Sequence, residues 1–168
     1  MLLEEIVIGS VKKDFLALLD GIEEKDRDYL YGCALVTDKD FASIHLIANT
    51  VNRHERKSDK TEINYDWNTD NWKYSTKHLK KRELDDVSYK LIALVMEEKE
   101  GLKGVTSPMF TRSLKRLKKE LEKKGVNTKD VCFFVTVHDK DREEKKTEIE
   151  SAKKINKGFM LENFLENR

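Results

Sequence analysis

Apolar residues recur along this chain with two different periods. Over residues 3–22 they fall at Val7, Val11, Phe15, Leu18 and Ile22, steps of four, four, three and four that draw one stripe along an α-helix. Gly9-Ser10 predicts a break in that helix, with Ser10 capping a second piece. Residues 23–28 read as a charged connector. Residues 29–49 then read as a β-hairpin: Leu30-Tyr31-Gly32-Cys33-Ala34-Leu35-Val36 is nearly continuous in apolar character, as a strand buried on both faces would be. Asp38-Lys39-Asp40 supplies its turn, and Ser43-Ile44-His45-Leu46-Ile47-Ala48 returns as the partner strand.

The helical period resumes later. Leu84, Val87, Leu91, Leu94 and Val95 form the stripe of a helix over residues 80–98, and Gly101 and Gly104 punctuate the connector after it. Ser107-Pro108 predicts the next helix start, because Ser caps and Pro suits a first turn. That helix carries Phe110, Leu114, Leu117 and Leu121 inward, and Gly125 suits the left-handed position after its end. Val131-Cys132-Phe133-Phe134-Val135-Thr136-Val137 is a second buried-strand run. Asn156 and Gly158 separate two short helical segments, 149–155 and 159–165. Between the hairpin and the first of these later helices, residues 50–62 are polar and helical in part. This order predicts an α+β fold, a small, mostly antiparallel sheet covered by helices, with residues 1–168 forming one domain.

Composition narrows the class. The chain has 168 residues, enough for a core without staples. Charged residues make up 39%, with 33 Lys and Arg against 32 Asp and Glu. A net charge of +1 argues against a nucleic-acid binder and against an acidic mimic of nucleic acid. Cys33 and Cys132 lie inside the strand runs and read as buried, reduced thiols. No apolar run approaches the roughly 20 residues that cross a bilayer, and the start of the chain lacks the pattern of a signal peptide. The expectation is a cytoplasmic protein without a membrane partner.

Motifs for chemistry are sparse. His45, His54, His78 and His138 show no HExxH spacing, no CxxC accompanies them, and no Gly-rich phosphate loop or GxSxG is present. The reading therefore assigns no metal, no cofactor and no catalytic residue. His45 reads as a structural strand histidine. His138 with Asp139 or Asp141 is the acid–base arrangement that a hydrolase would use, and that is the alternative function. Arg112, Lys115, Arg116, Lys118, Lys119, Lys123 and Lys124 outnumber Glu120 and Glu122 on one helix; a solvated outer face explains them, and contact with phosphates is the other reading. The strand exits at residues 36–40 and 137–141 look alike, but the flanking helices do not repeat in step.

The richest segment is Tyr65-Asp66-Trp67-Asn68-Thr69-Asp70-Asn71-Trp72-Lys73-Tyr74, which holds both tryptophans. Rings interleaved with carboxylates and amides offer apolar area and hydrogen bonds together, as partner surfaces do. Tyr65, Asp66, Trp67, Asp70, Trp72 and Tyr74 are the candidate partner-binding residues, and a core role for the tryptophans stands beside that reading. If helical, the segment would place Asp66 and Asp70 on one side.

Three pieces together carry a resemblance: the hairpin ending in Ala48-Asn49-Thr50, the Trp67-x-x-x-x-Trp72 element, and Ser151-Ala152-Lys153-Lys154-Ile155-Asn156 late in the chain. Residues 10–165 resemble bacterial domain-of-unknown-function family 4303. The resemblance implies no established activity and no catalytic residue. By analogy with small bacterial proteins of this general kind, it implies an immunity protein that binds and neutralises a toxin domain. The expected partner is thus a protein, not a nucleic acid. Long charged insertions at residues 53–62 and 140–146 depart from the family pattern.

Overall fold

A computed structural model describes residues 2–39, 43–51, 62–97, 102–138 and 142–168, and the side chains of these except at 2, 94–97, 102–105 and 142–144. The elements are α1 (Leu2–Asp20), α2 (Glu24–Arg27), β1 (Leu30–Thr37), β2 (Ile44–Thr50), β3 (Tyr74–Ser75), α3 (Glu83–Glu97), α4 (Leu102–Lys123), β4 (Cys132–Val137), α5 (Arg142–Ile155) and α6 (Phe159–Glu166). Single 3-10 turns lie at Thr69–Asn71 and Thr76–His78. The fold is α+β. Its four-stranded sheet has the order β3-β2-β1-β4, antiparallel except where β4 runs parallel to β1. The expected helical piece within residues 50–62 falls almost wholly outside the described residues.

Each sheet face has its own core. On one face, Cys33, Leu35, Leu46, Phe133 and Val135 pack with Val11 and Phe15 of α1, Leu84 and Leu91 of α3, and Phe110 and Leu114 of α4. On the other, Tyr31, Ala34, Val36, Ile47 and Phe134 pack under Tyr65, Trp67 and Trp72 and under Met160 and Phe164 of α6. Cys132 pairs opposite Gly32, one step from Cys33, so the two thiols point to opposite faces and stay free.

Two expected boundaries differ. α1 runs unbroken through Gly9-Ser10, because Val7 and Val11 are both fully buried and only a continuous helix keeps them on one face. That burial outweighs the roughly 1 kcal/mol that Gly costs a helix. α4 begins at Leu102 rather than at Ser107-Pro108, which places Pro108 inside the helix. Thr106 and Met109 are already buried, so packing extends the helix a turn upstream, while the exposed proline leaves the Gly104 carbonyl without its helical donor. At the other end, Val126 N–H donates to Leu121 O and Gly125 N–H to Glu122 O, both at 3.0 Å, with Gly125 at φ +78°. That is a Schellman closure. Residues 23–28, expected as a connector, contain the single turn α2. Across helices, Asp14 of α1 accepts from Glu83 N–H at 2.8 Å and Leu84 N–H at 3.0 Å, capping α3 from outside its own chain segment.

β4 has a strand on one side only, and an open edge exposes backbone donors and acceptors to water. Side chains of α5 and the residue after it close that edge. Asn156 accepts from Phe133 N–H at 2.9 Å and donates back to Phe133 O at 2.6 Å, standing in for a neighbouring peptide. Ser151 Oγ accepts from Val135 N–H at 2.9 Å, and Thr136 Oγ1 donates to the buried Glu148 carboxylate. Glu148 in turn lies 3.4 Å from Arg168 Nε, and the Arg168 guanidinium stands over the Phe134 and Phe164 rings. Asn156 also accepts from the buried Lys118 ammonium at 3.1 Å. Among the described residues no helix is long and apolar enough to cross a membrane.

Asn156→Ala should therefore strand a buried N–H, a carbonyl and an ammonium at once. We expect a loss of at least about 3 kcal/mol in urea denaturation, with Asn156→Asp, which keeps the acceptor, losing less.

Candidate functional site

Hydrogen bonds from both indole N–H groups fix the aromatic segment. Trp72 Nε1–H donates to Asp66 O at 2.7 Å, and Tyr31 OH donates to the same carbonyl at 2.6 Å. Asn49 Nδ2 donates to Tyr31 OH at 2.9 Å, and Trp67 Nε1–H reaches Asn163 Oδ1 on α6 at 2.8 Å. The rings themselves stack edge-to-face: Trp67 on Phe164 at 5.1 Å, Trp67 on Tyr31 at 5.2 Å, Trp72 on Phe134 at 5.7 Å. Gly32 makes room for them. A Cβ there would lie 2.5 Å from Trp72 Cη2 and 2.9 Å from its Cζ2.

The six residues of the expected partner site thus separate. Tyr65, Trp67 and Trp72 are 7%, 3% and 8% exposed and belong to the core; Tyr74 is half-buried. Asp66 and Asp70 are exposed, but they do not share a helix face, since only Thr69–Asn71 turns, as 3-10 helix. Asp66 accepts from Asn68 N–H at 2.9 Å and from Asn71 Nδ2 at 3.0 Å, and Asn68 accepts from Asp70 N–H at 3.2 Å. These bonds leave the Asp70 carboxylate without a hydrogen-bond partner among the described residues. The result is a rigid polar knuckle, residues 66–71, standing on an aromatic base.

Beside the knuckle opens a cleft of about 380 Å³ along the second sheet face. Its polar lining includes His45, Asp70, Ser75, Lys77, Thr136 and His138. Sequence reasoning had no way to join His45 to His138, which reach the same cleft from strands at different positions in the sheet. His138 lies exposed at the exit of β4, its backbone N–H donating to Thr37 O at 2.7 Å and extending the parallel ladder. The look-alike exits at residues 36–40 and 137–141 therefore begin side by side, Thr37 opposite Val137. Asp139 and Asp141, the proposed acid partners of His138, lie outside the described residues.

Burial governs the protonation of His45 and of the two thiols. His45 is buried, and its Nδ1 has no hydrogen-bond partner among the described residues. Burial, with Lys77, Arg82 and His138 nearby, lowers its pKa from 6.5 to about 3. A histidine poised to exchange protons near pH 7 needs a pKa near 7, so at neutral pH His45 offers a neutral ring. Burial likewise pushes the Cys132 thiol up to about 12 and raises that of Cys33, which keeps both protonated and poor nucleophiles. Among the described residues no cluster of three His, Cys, Asp or Glu could hold a metal ion.

Two outcomes check this account. Gly32→Ala should lose about 1–3 kcal/mol in urea denaturation, because Trp72 cannot keep its place. For His45, the unfolded chain takes up a proton near pH 6.5 and the folded chain only near 3, so acidification through that window favours unfolding. Between pH 7 and pH 5 the native protein should lose about 1–2 kcal/mol more stability than His45→Gln, measured by denaturant titration at each pH.

A family comparison covers most of the residues that build this geometry, though not α6. The model of the family described as "Domain of unknown function (DUF4303)" matches residues 10–157. No curated protein and no solved structure matches the chain. Running from the middle of α1 through the Asn156 closure, the match shows that this chain belongs to the DUF4303 family.

Proposed function

We propose that this chain is a protein-binding domain, an immunity protein of the bacterial cytoplasm that neutralises a toxin by binding it. The knuckle at residues 66–71 carries the reading: exposed Asp66, Asn68, Asp70 and Asn71 are held in one geometry by two buried tryptophans. A partner that docks on a preorganised loop loses little entropy in ordering it. Carboxylates and amides in this arrangement suit a cationic, donor-rich patch on the toxin, where the knuckle would block an active site or a substrate path. The buried rings supply rigidity, and the exposed polar groups supply specificity. The low basicity of His45 and the protonated thiols favour binding over catalysis as the work of this face.

The test is the affinity of the purified chain for a secreted toxin domain encoded beside it, compared with that of Asp70→Lys. Charge reversal at an exposed residue should weaken binding by about 2 kcal/mol, roughly 30-fold, with an unchanged melting temperature. Unchanged affinity would remove the knuckle from the interface. A toxin that is not bound at all would overturn the immunity reading.

A further inference from the structure

A second cleft, about 730 Å³ in volume, lies at the Asn156 closure, between α4, the end of α5 and the start of α6. Seven lysines line it against two carboxylates, Glu122 and Asp130. They come from three separate stretches: Lys115, Lys118 and Lys119 from α4, Lys129 from the loop before β4, and Lys153, Lys154 and Lys157 around the end of α5. Their pairing differs from that of the two arginines on α4. Toward α1, Arg112 binds Glu4 at 2.8 Å, and Arg116 binds Glu5 at 3.0 Å. The six exposed lysines of the cleft have no carboxylate partner among the described residues. Glu122 already accepts from Thr128 Oγ1 at 2.8 Å. A recess lined by one sign of charge focuses its field and draws in counter-charge.

Three further features suit a phosphate chain ending in an aromatic group. Lys118 is buried and spends two of its three donors on Val131 O and Asn156 Oδ1, which leaves one donor at the cleft floor. α6 starts on the cleft at Gly158 and Phe159, with no side chain capping its first turn, so backbone N–H groups add to the positive potential. Phe159 is 38% exposed and offers a ring at the same cleft, backed by Tyr65 at 6.4 Å. The volume lies in the range of small-molecule sites, about 300–1,000 Å³. We propose that this cleft binds a nucleoside triphosphate, its phosphates among the lysines and its base against Phe159. This inference rests on observations separate from those behind the toxin reading.

Calorimetry of the intact protein with ATP and, separately, with sodium tripolyphosphate tests it. We expect ATP to bind one to one and tripolyphosphate to bind more weakly at the same site. The triple variant Lys153→Gln, Lys154→Gln, Lys157→Gln should lose both at least 10-fold. Phe159→Ala should lose ATP several-fold and leave tripolyphosphate unchanged. The pair Lys80→Gln, Lys90→Gln, outside the cleft, should change neither, and circular dichroism should show every variant folded. No ATP binding at millimolar concentration would overturn the proposal, as would equal losses in the control pair. So would equal affinity for the two ligands with no effect of Phe159→Ala, which would mark a site for free polyphosphate. Binding of a single-stranded RNA that ATP cannot displace would assign the lysines to a nucleic acid instead.

Discussion

The amide of Asn156 against the backbone of Phe133 is the contact on which the remainder of this fold depends. β4 is the last strand of its sheet, and two large side chains on it, Phe133 and Phe134, serve the two cores. A strand buried on both faces must also have its edge satisfied, or its central position in the core costs more than burial returns. Asn156 supplies one donor and one acceptor at 2.6 and 2.9 Å, as a neighbouring strand would. The same residue ends α5, holds Lys118 at the bottom of the core, and fixes where Gly158 turns the chain into α6. α6 then delivers Phe164 and Asn163 to the tryptophans. One polar side chain thus links the sheet edge, the second core and the aromatic base of the knuckle.

The hairpin end, the Trp67–Trp72 element and the late segment from Ser151 to Asn156 share this structural role. Asn49 bonds Tyr31, which bonds the Asp66 carbonyl; Trp72 bonds that same carbonyl; Ser151 and Asn156 close β4. Residues spent on such bonds say little about what a protein binds. The groups left over for function are the ones that structure does not consume: the Asp70 carboxylate, the lining of the His45 cleft, and the unpaired lysines behind Asn156.

Periodicity made most of the elements legible. The stripes at Val7–Phe15, Leu84–Leu91 and Phe110–Leu121 are buried in helices, and the two continuous apolar runs are the central and edge strands. Local rules failed where packing overrode them, at Gly9 within α1 and at Pro108 within α4. The candidate site was less legible. The aromatic segment stands out in the sequence, yet its burial depends on Gly32, which vacates space 33 and more residues away in the chain. The basic character of α4 is equally visible, but its meaning depends on Lys129, Lys153, Lys154 and Lys157, which only the tertiary fold brings beside it. Asn156 reads in the sequence as a helix breaker, because nothing local announces a side chain that replaces a strand.

The most direct test of the edge closure is native-state hydrogen exchange at the amides of Phe133 and Val135. If Asn156 and Ser151 stand in for a missing strand, both amides should exchange only by global unfolding, with opening free energies within about 1 kcal/mol of Ala34 in the central strand. Exchange of these two amides a thousand-fold faster than that of Ala34 would mean that the edge is open to water, and the account built on its closure would fail.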